Sequence, residues 1–139
     1  MAQMVRDVMS RQPLTVEDSA TVMDAARAMR EANIGDVIVL KGGAICGMVT
    51  DRDIVIRAVA EGRDPRSIKV GEICSADVAT VGPDETVDKV ISLMRQKAIR
   101  RVPVVEGGKP VGVISLGDLA IEKDSKSALA DISAAQPNQ

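Results

Sequence analysis

Two short segments of this chain carry the residue types that could do chemistry. Gly47-Met48-Val49-Thr50-Asp51-Arg52-Asp53 and Gly112-Val113-Ile114-Ser115-Leu116-Gly117-Asp118 each set a carboxylate three residues after a hydroxyl. A glycine and two apolar residues precede the hydroxyl in both. If the apolar residues close a strand and the hydroxyl opens a helix, the first turn presents unpaired N–H groups and a partial positive charge. Such a terminus favours an anion, phosphate above all. The hydroxyl can donate to a ligand oxygen, and the carboxylate can accept from two neighbouring hydroxyls, as a ribose presents. Gly47 and Gly112 leave room for a ligand or a chain segment to approach the backbone. The same spacing also suits a helix cap, in which the hydroxyl accepts the third N–H and the acid reaches back. One copy alone does not separate these two uses.

The rest of the composition narrows the chemistry. The chain has no His, which removes the usual general base near neutral pH and the commonest metal ligand. It has no Phe, Tyr or Trp either, so a planar ligand must lie between aliphatic side chains and backbone. Cys46 and Cys74 could be ligands, a redox pair or core residues. Their spacing does not resemble a metal site, and small buried thiols usually behave as apolar residues. The core reading is the expectation. A net charge of −2 argues against a nucleic-acid surface. Charge-free stretches such as Gly42–Thr50 are too short to span a bilayer, and Met1 to Pro13 does not read as a secretory signal. The expectation is a cytoplasmic protein with no membrane contact.

The elements around the two motifs must position these residues. A shift of 65 residues lays the chain on itself without a gap: over the 52 pairs from Val5/Val70 to Ile56/Ile121, 16 are identical. Unrelated segments would match at about one in fifteen. Cys46 falls on Val111 and Cys74 on Met9, apolar residues that support the core reading of the thiols. Each half reads as strand, helix, strand, strand, helix. Val5, Val8 and Met9 suggest a short helical lead-in. Pro13-Leu14-Thr15-Val16 is extended, Ser19 is the expected N-cap, and Val22, Ala25, Ala26 and Met29 recur at helical spacing. Gly42-Gly43 offers a hairpin turn between Asp36–Leu40 and Ile45–Val49. Thr50 opens a helix running to about Ala60. In the second half Thr80-Val81 is extended and Pro83-Asp84 starts a helix; Val102–Val105 and Val111–Ile114 flank Gly107-Gly108, and Ser115 opens the last helix.

These boundaries give a first repeat at 1–62, a second at 63–124 and a tail at 125–139, in which Leu129 and Ile132 could dock before a disordered end. The charged stretch Glu61–Ser67 reads as a surface linker. A half of about 60 residues buries little surface, so the two halves are expected to share a core.

The duplicated unit with this motif at each end resembles a tandem pair of cystathionine-β-synthase-type (CBS) domains over about Val5 to Glu122. The resemblance implies an α/β (α+β) fold of two β-α-β-β-α repeats packed as a pseudo-two-fold module. It implies adenosine ligands in clefts between the repeats, homodimers, and regulation without catalysis. Carried over by position, Asp53 and Asp118 would hold ribose hydroxyls, and Thr50 and Ser115 would contact ribose or phosphate oxygens. Segments around Thr15 and Thr80 would meet the base. Val37-Ile38-Val39 and Val102-Pro103-Val104 would supply an aliphatic wall, in keeping with the missing aromatics.

The two halves differ in charge. Arg100 and Arg101 of the second, placed where the family often meets phosphate, fall on Gly35 and Asp36 of the first. Arg52 is a candidate phosphate contact with no basic counterpart. The expectation is better nucleotide binding on the Ser115–Asp118 side and, on the other, either weak binding or a ligand with less negative charge. The leading reading is therefore a regulatory, signal-transducing module for AMP, ADP, ATP or S-adenosylmethionine. It requires no cofactor, and its output is oligomeric state or an unidentified protein partner. The alternative is a scaffold or interaction protein without nucleotide, its motifs serving as caps. An enzyme and a nucleic-acid binder rank below both.

Overall fold

Two glycine pairs set the hairpins. Gly42 and Gly43 have φ of 61° and 86°, and Gly107 and Gly108 of 60° and 80°, the doubly left-handed backbone of a tight two-residue turn. Around them the computed structural model describes residues 3–76 and 78–123. Helix α1 (Val5–Val8) leads into β1 (Ser10–Arg11), β2 (Thr15–Glu17), α2 (Val22–Ala32), β3 (Asp36–Lys41) and β4 (Ala44–Thr50). Helix α3 (Asp51–Ile54) continues as a π-helical turn over Val55–Val59, and a 3-10 turn spans Val70–Glu72. Helix α4 (Val87–Lys97), strands β5 (Arg101–Glu106) and β6 (Lys109–Ser115), and helix α5 (Leu116–Lys123) complete the described chain. The mixed α+β architecture is the expected one. The expectations for Leu129, Ile132 and the tail lie outside the described residues.

The long helices begin later than their sequence signals suggested. Helix α2 is capped by Thr21, not Ser19: Thr21 Oγ1 accepts the Asp24 N–H, and Asp24 returns a bond to the Thr21 N–H. Helix α4 is capped by Thr86, whose hydroxyl accepts from the Lys89 N–H at 3.3 Å; Pro83-Asp84 belong to the preceding turn. Both caps use a residue whose oxygen reaches the third N–H, which is what a helix start requires locally.

The chain forms two compact units whose ends are exchanged relative to the sequence repeats. Among the described residues one, the central unit, is Leu14–Val78; the other, the terminal unit, joins residues 3–13 to residues 79–123. The segment preceding the first repeat therefore packs on the second. In the terminal unit β1 runs antiparallel to β6, with Ser10 opposite Val113 and Arg11 opposite Gly112. Arg6 pairs with Asp84, and the Val5 N–H donates to Glu85 O at 2.8 Å. In the central unit Ser75, which aligns with Ser10, bridges Met48 in the same antiparallel sense. The charged Glu61–Ser67 stretch stays with this unit as turns, held by Arg66 on Asp64 and by Met23 N–H on Pro65 O.

Both sheets carry the β3–β4 type hairpin, with register shifts at Val39/Leu40 and Val104/Val105. They differ at one edge. Strand β2 runs parallel to β3 with Thr15 opposite Ile38, and the Ile38 N–H donates to Leu14 O at 2.9 Å. The equivalent of Ile38 is Pro103, which has no N–H to give. The expected strand at Thr80-Val81 is accordingly reduced to a single parallel bridge from Val81 to Val104.

The described residues form one core cluster in each unit, and each cluster draws on both halves of the sequence. The central cluster includes Val22, Ala25, Met29, Val37, Val39, Val49, Ala58, Ile68, Val70 and Ile73. The terminal cluster includes Val5, Val81, Val87, Val90, Met94, Val102, Val104, Ile114 and Leu119. The exchanged lead-ins account for this: Val5 fills one cluster, while Ile68, Val70 and Ile73 fill the other. Each repeat is enlarged by a segment its sequence neighbour contributes.

Candidate functional site

The registers gather the candidate residues at one end of each sheet. In the central unit β2 begins at Thr15 and β3 at Asp36, while β4 ends at Thr50, which lies opposite Asp36. Helix α3 starts at that corner. Thr50 Oγ1 accepts the Asp53 N–H at 3.1 Å, and Asp53 Oδ2 accepts the Thr50 N–H at 2.9 Å. The second Asp53 oxygen faces the Arg57 Nε at 3.9 Å, and Arg57 also donates to Ile73 O at 2.9 Å. Arg52 is exposed, with its backbone N–H on Asp51 Oδ1 at 2.8 Å.

The terminal unit repeats the corner with different charges. Ser115 lies opposite Arg101, and its Oγ accepts the Asp118 N–H at 3.0 Å while Asp118 Oδ2 accepts the Ser115 N–H at 3.0 Å. Asp118 Oδ1 has no hydrogen-bond partner among the described residues. The Leu116 N–H donates to Arg100 O at 2.8 Å, as the Asp51 N–H donates to Gly35 O at 3.0 Å. Arg100, Arg101 and Thr80 are exposed. The structure thus brings together Thr15, Ile38, Thr50, Arg52 and Asp53 in one unit, and Thr80, Pro103, Arg100, Arg101, Ser115 and Asp118 in the other.

Both motifs are complete capping boxes, so the local use of these residues as caps is realised. It leaves one oxygen per carboxylate for other work. Of the six residues expected to form an aliphatic wall, Val39 and Val104 belong to the core clusters. Val37 and Val102 are core members, because strand alternation turns them inward. Ile38 and Pro103 are also fully buried, but neither belongs to a core cluster.

The charge contrast read from the sequence is reinforced. Asp36 is 7% exposed at the central corner. A Cβ on Gly35 would lie 2.8 Å from Asp51 Oδ2, so Asp51 leans against the same spot. Three carboxylates, of Asp36, Asp51 and Asp53, surround the central corner, where Arg57 and Arg52 partly offset them. The terminal corner carries Arg100 and Arg101 against Asp118. Sequence reasoning missed Arg57, although its spacing of four from Asp53 on a helix is a readable signal.

The two glycines turn out to admit chain, not ligand. A Cβ on Gly47 would lie 2.7 Å from Ser75 O, and one on Gly112 would lie 2.7 Å from Ser10 O. Among the described residues no group of three or more Cys, Asp or Glu could hold a metal ion, and no helix is long and apolar enough to cross a membrane.

Comparison with known proteins returns a consistent picture. The pattern of the CBS domain matches twice, over residues 5–59 and 70–123. The CBS domain-containing protein YhcV of Bacillus subtilis is 38% identical over 133 residues, covering 93% of this chain and 94% of its own length. Hypoxic response protein 1 of Mycobacterium tuberculosis is 33% identical over 116 residues, covering 83% of this chain and 81% of its own. Its crystal structure, with two coordinated zinc ions, superposes with a TM-score of 0.78 at 32% identity, covering 85% of this chain and 97% of that one. The CBS domain pair of protein MJ0100, solved with 5′-methylthioadenosine and S-adenosyl-L-methionine, has a TM-score of 0.81 at 28% identity. That match covers 91% of this chain and 100% of the other.

Proposed function

The chain belongs to the CBS domain family as a tandem pair, and from that premise we propose that it is a regulatory module sensing adenosine nucleotides or adenosyl compounds at its two strand-end corners. The observation that carries the reading is Asp118 Oδ1, which has no hydrogen-bond partner among the described residues, beside Ser115 in a corner that also bears Arg100 and Arg101. A carboxylate oxygen there can accept from a ribose diol while the two guanidiniums meet phosphate. The adenosyl ligands of the MJ0100 pair support the ligand class.

The corners differ in preference. The terminal one takes a nucleotide. The central one, with Asp36, Asp51 and Asp53, disfavours phosphate by like-charge repulsion and takes an uncharged or cationic adenosyl compound. Thermal shift and calorimetry against AMP, ADP, ATP, 5′-methylthioadenosine and S-adenosylmethionine test this. Asp118→Asn keeps an oxygen for the cap but removes the charge, and it should weaken AMP at least tenfold. Asp53→Asn should leave AMP binding unchanged and weaken the adenosyl compound. No stabilisation by any of the five overturns the reading. A larger AMP loss in Asp53→Asn overturns the assignment of corners.

The completed capping boxes favour a second reading, a scaffold in which the motifs only start helices. A scaffold gains nothing from ligand, whereas a binder gains stability by mass action. In either case the output runs through other chains. The π-helical turn leaves Val55, Ile56 and Val59 exposed at 56%, 44% and 61%, which supports a homodimer or a protein partner on that face.

A further inference from the structure

The sheet of the central unit brings two sulfurs together that lie 28 residues apart in sequence. Val39 pairs with Gly47 and Leu40 with Ile45, so Cys46 is the extra residue of a bulge in β4. A bulge re-aims the side chain that it inserts. Cys74 follows the 3-10 turn, just before Ser75, whose N–H and C=O exchange bonds of 2.9 and 3.0 Å with Met48. A Cβ on Gly47 would lie 2.6 Å from Cys74 Sγ and 3.2 Å from Cys74 Cβ. The Cys74 sulfur therefore fills the place of a side chain at Gly47, next to Cys46 on the same strand. The Cys74 thiol donates to Gly71 O at 3.7 Å, and both thiols are partly exposed. Burial, and then the neighbouring sulfur, push the Cys74 thiol up.

The aligned site of the terminal unit shows that the fold does not need sulfur there in pairs. Val111 is the extra residue of the matching bulge, and a Cβ on Gly112 would lie 2.8 Å from Met9 Sδ. The same packing problem is solved by an ordinary apolar contact.

We infer that Cys46 and Cys74 form a reversible intramolecular disulfide, which ties the segment leaving the central unit to the strand that ends in Thr50. The oxidant is a low-molecular-weight disulfide such as glutathione disulfide. The Cys46 thiolate attacks one glutathione sulfur and displaces one glutathione thiolate. The Cys74 thiolate then attacks the Cys46 sulfur of the mixed disulfide and displaces the second. Two electrons pass from the protein thiols to the oxidant, and the two protons finish on glutathione. The bridge closes a loop through β4, the π-helical turn and the 3-10 turn, and restricts the unfolded chain.

The test equilibrates the full chain in buffers of graded oxidised-to-reduced glutathione, followed by acid quench, alkylation, intact mass and peptide mapping. The expected result is a monomolecular product with both thiols lost, no glutathione retained, and a Cys46–Cys74 peptide. Its midpoint of thermal unfolding should rise by several degrees and return on reduction. Cys46→Val and Cys74→Met carry the residues of the other repeat, so they should fold and retain a glutathione adduct on the remaining thiol. Stable mixed disulfides on both sulfurs of the unmodified chain would overturn the inference. So would bridges between chains, or thiols that stay free at the most oxidised ratio.

Discussion

A Cβ added to Gly112 would lie 2.7 Å from the Ser10 carbonyl oxygen and 2.8 Å from Met9 Sδ. The sulfur can swing away, but the carbonyl is pinned in the β1–β6 pairing. Gly112→Ala should therefore destabilise the protein by about 2 kcal/mol through overpacking, read as a lower denaturant midpoint with an unchanged slope. The glycine of the motif is a packing requirement of the fold, whatever the corner binds. The carboxylate three residues into the helix has a divided role: one oxygen closes the cap. At Asp53 the other oxygen meets Arg57, and at Asp118 it does not. That difference adds to the contrast of Asp36 and Asp51 with Arg100 and Arg101 in separating the two corners.

At the scale of the element, the two long helices end alike but unequally well. Helix α2 stops at Asn33 with φ of 59°, and α4 at Ala98 with φ of 54°. The left-handed backbone is tolerated by Asn and costs Ala about 1 kcal/mol. Ala98→Gly relieves the clash, and the larger entropy of the unfolded glycine takes back part of the gain. A net stabilisation of about 0.5 kcal/mol should appear as a small rise in the thermal midpoint. The start of α4 is tied by Glu85, whose carboxylate pairs with Lys89 and accepts the Gly82 N–H. Those contacts, Lys89 first, hold the Glu85 carboxyl below its ordinary value. A carboxyl lowered in the folded state stabilises the protein above its unfolded pKa. The contribution fades as pH falls through the folded value. Chemical denaturation from neutrality down to pH 3 should show Glu85→Gln with a shallower acid loss than the unmodified chain.

For the molecule as a whole, the exposed apolar face Val55–Ile56–Val59 calls for a partner, and a second copy is the one proposed. Light scattering behind size exclusion should give twice the monomer mass. Val59→Lys should shift it toward monomer at micromolar concentration while leaving the helical circular dichroism unchanged. If the unmodified chain elutes as monomer at high concentration, a different protein covers that face.

Much of the element order was legible because it depends on near neighbours. Gly-Gly pairs set the hairpins through backbone freedom, hydroxyls started helices by reaching the third N–H, and apolar periodicity picked the inward faces. The 65-residue repeat added the architecture. Even the weakened edge at Val81 was written in Pro103, whose missing N–H is a property of one residue. What only the tertiary structure decided depends on residues far apart in the chain. The lead-in of each repeat packs on the other repeat, so each core cluster draws on both halves of the sequence. The segment carrying Cys74 packs on Gly47, beside the bulge that holds Cys46, although the two thiols lie 28 residues apart. Long-range pairing rests on which segment fills which groove, and side chains equivalent in the repeat then find different neighbours.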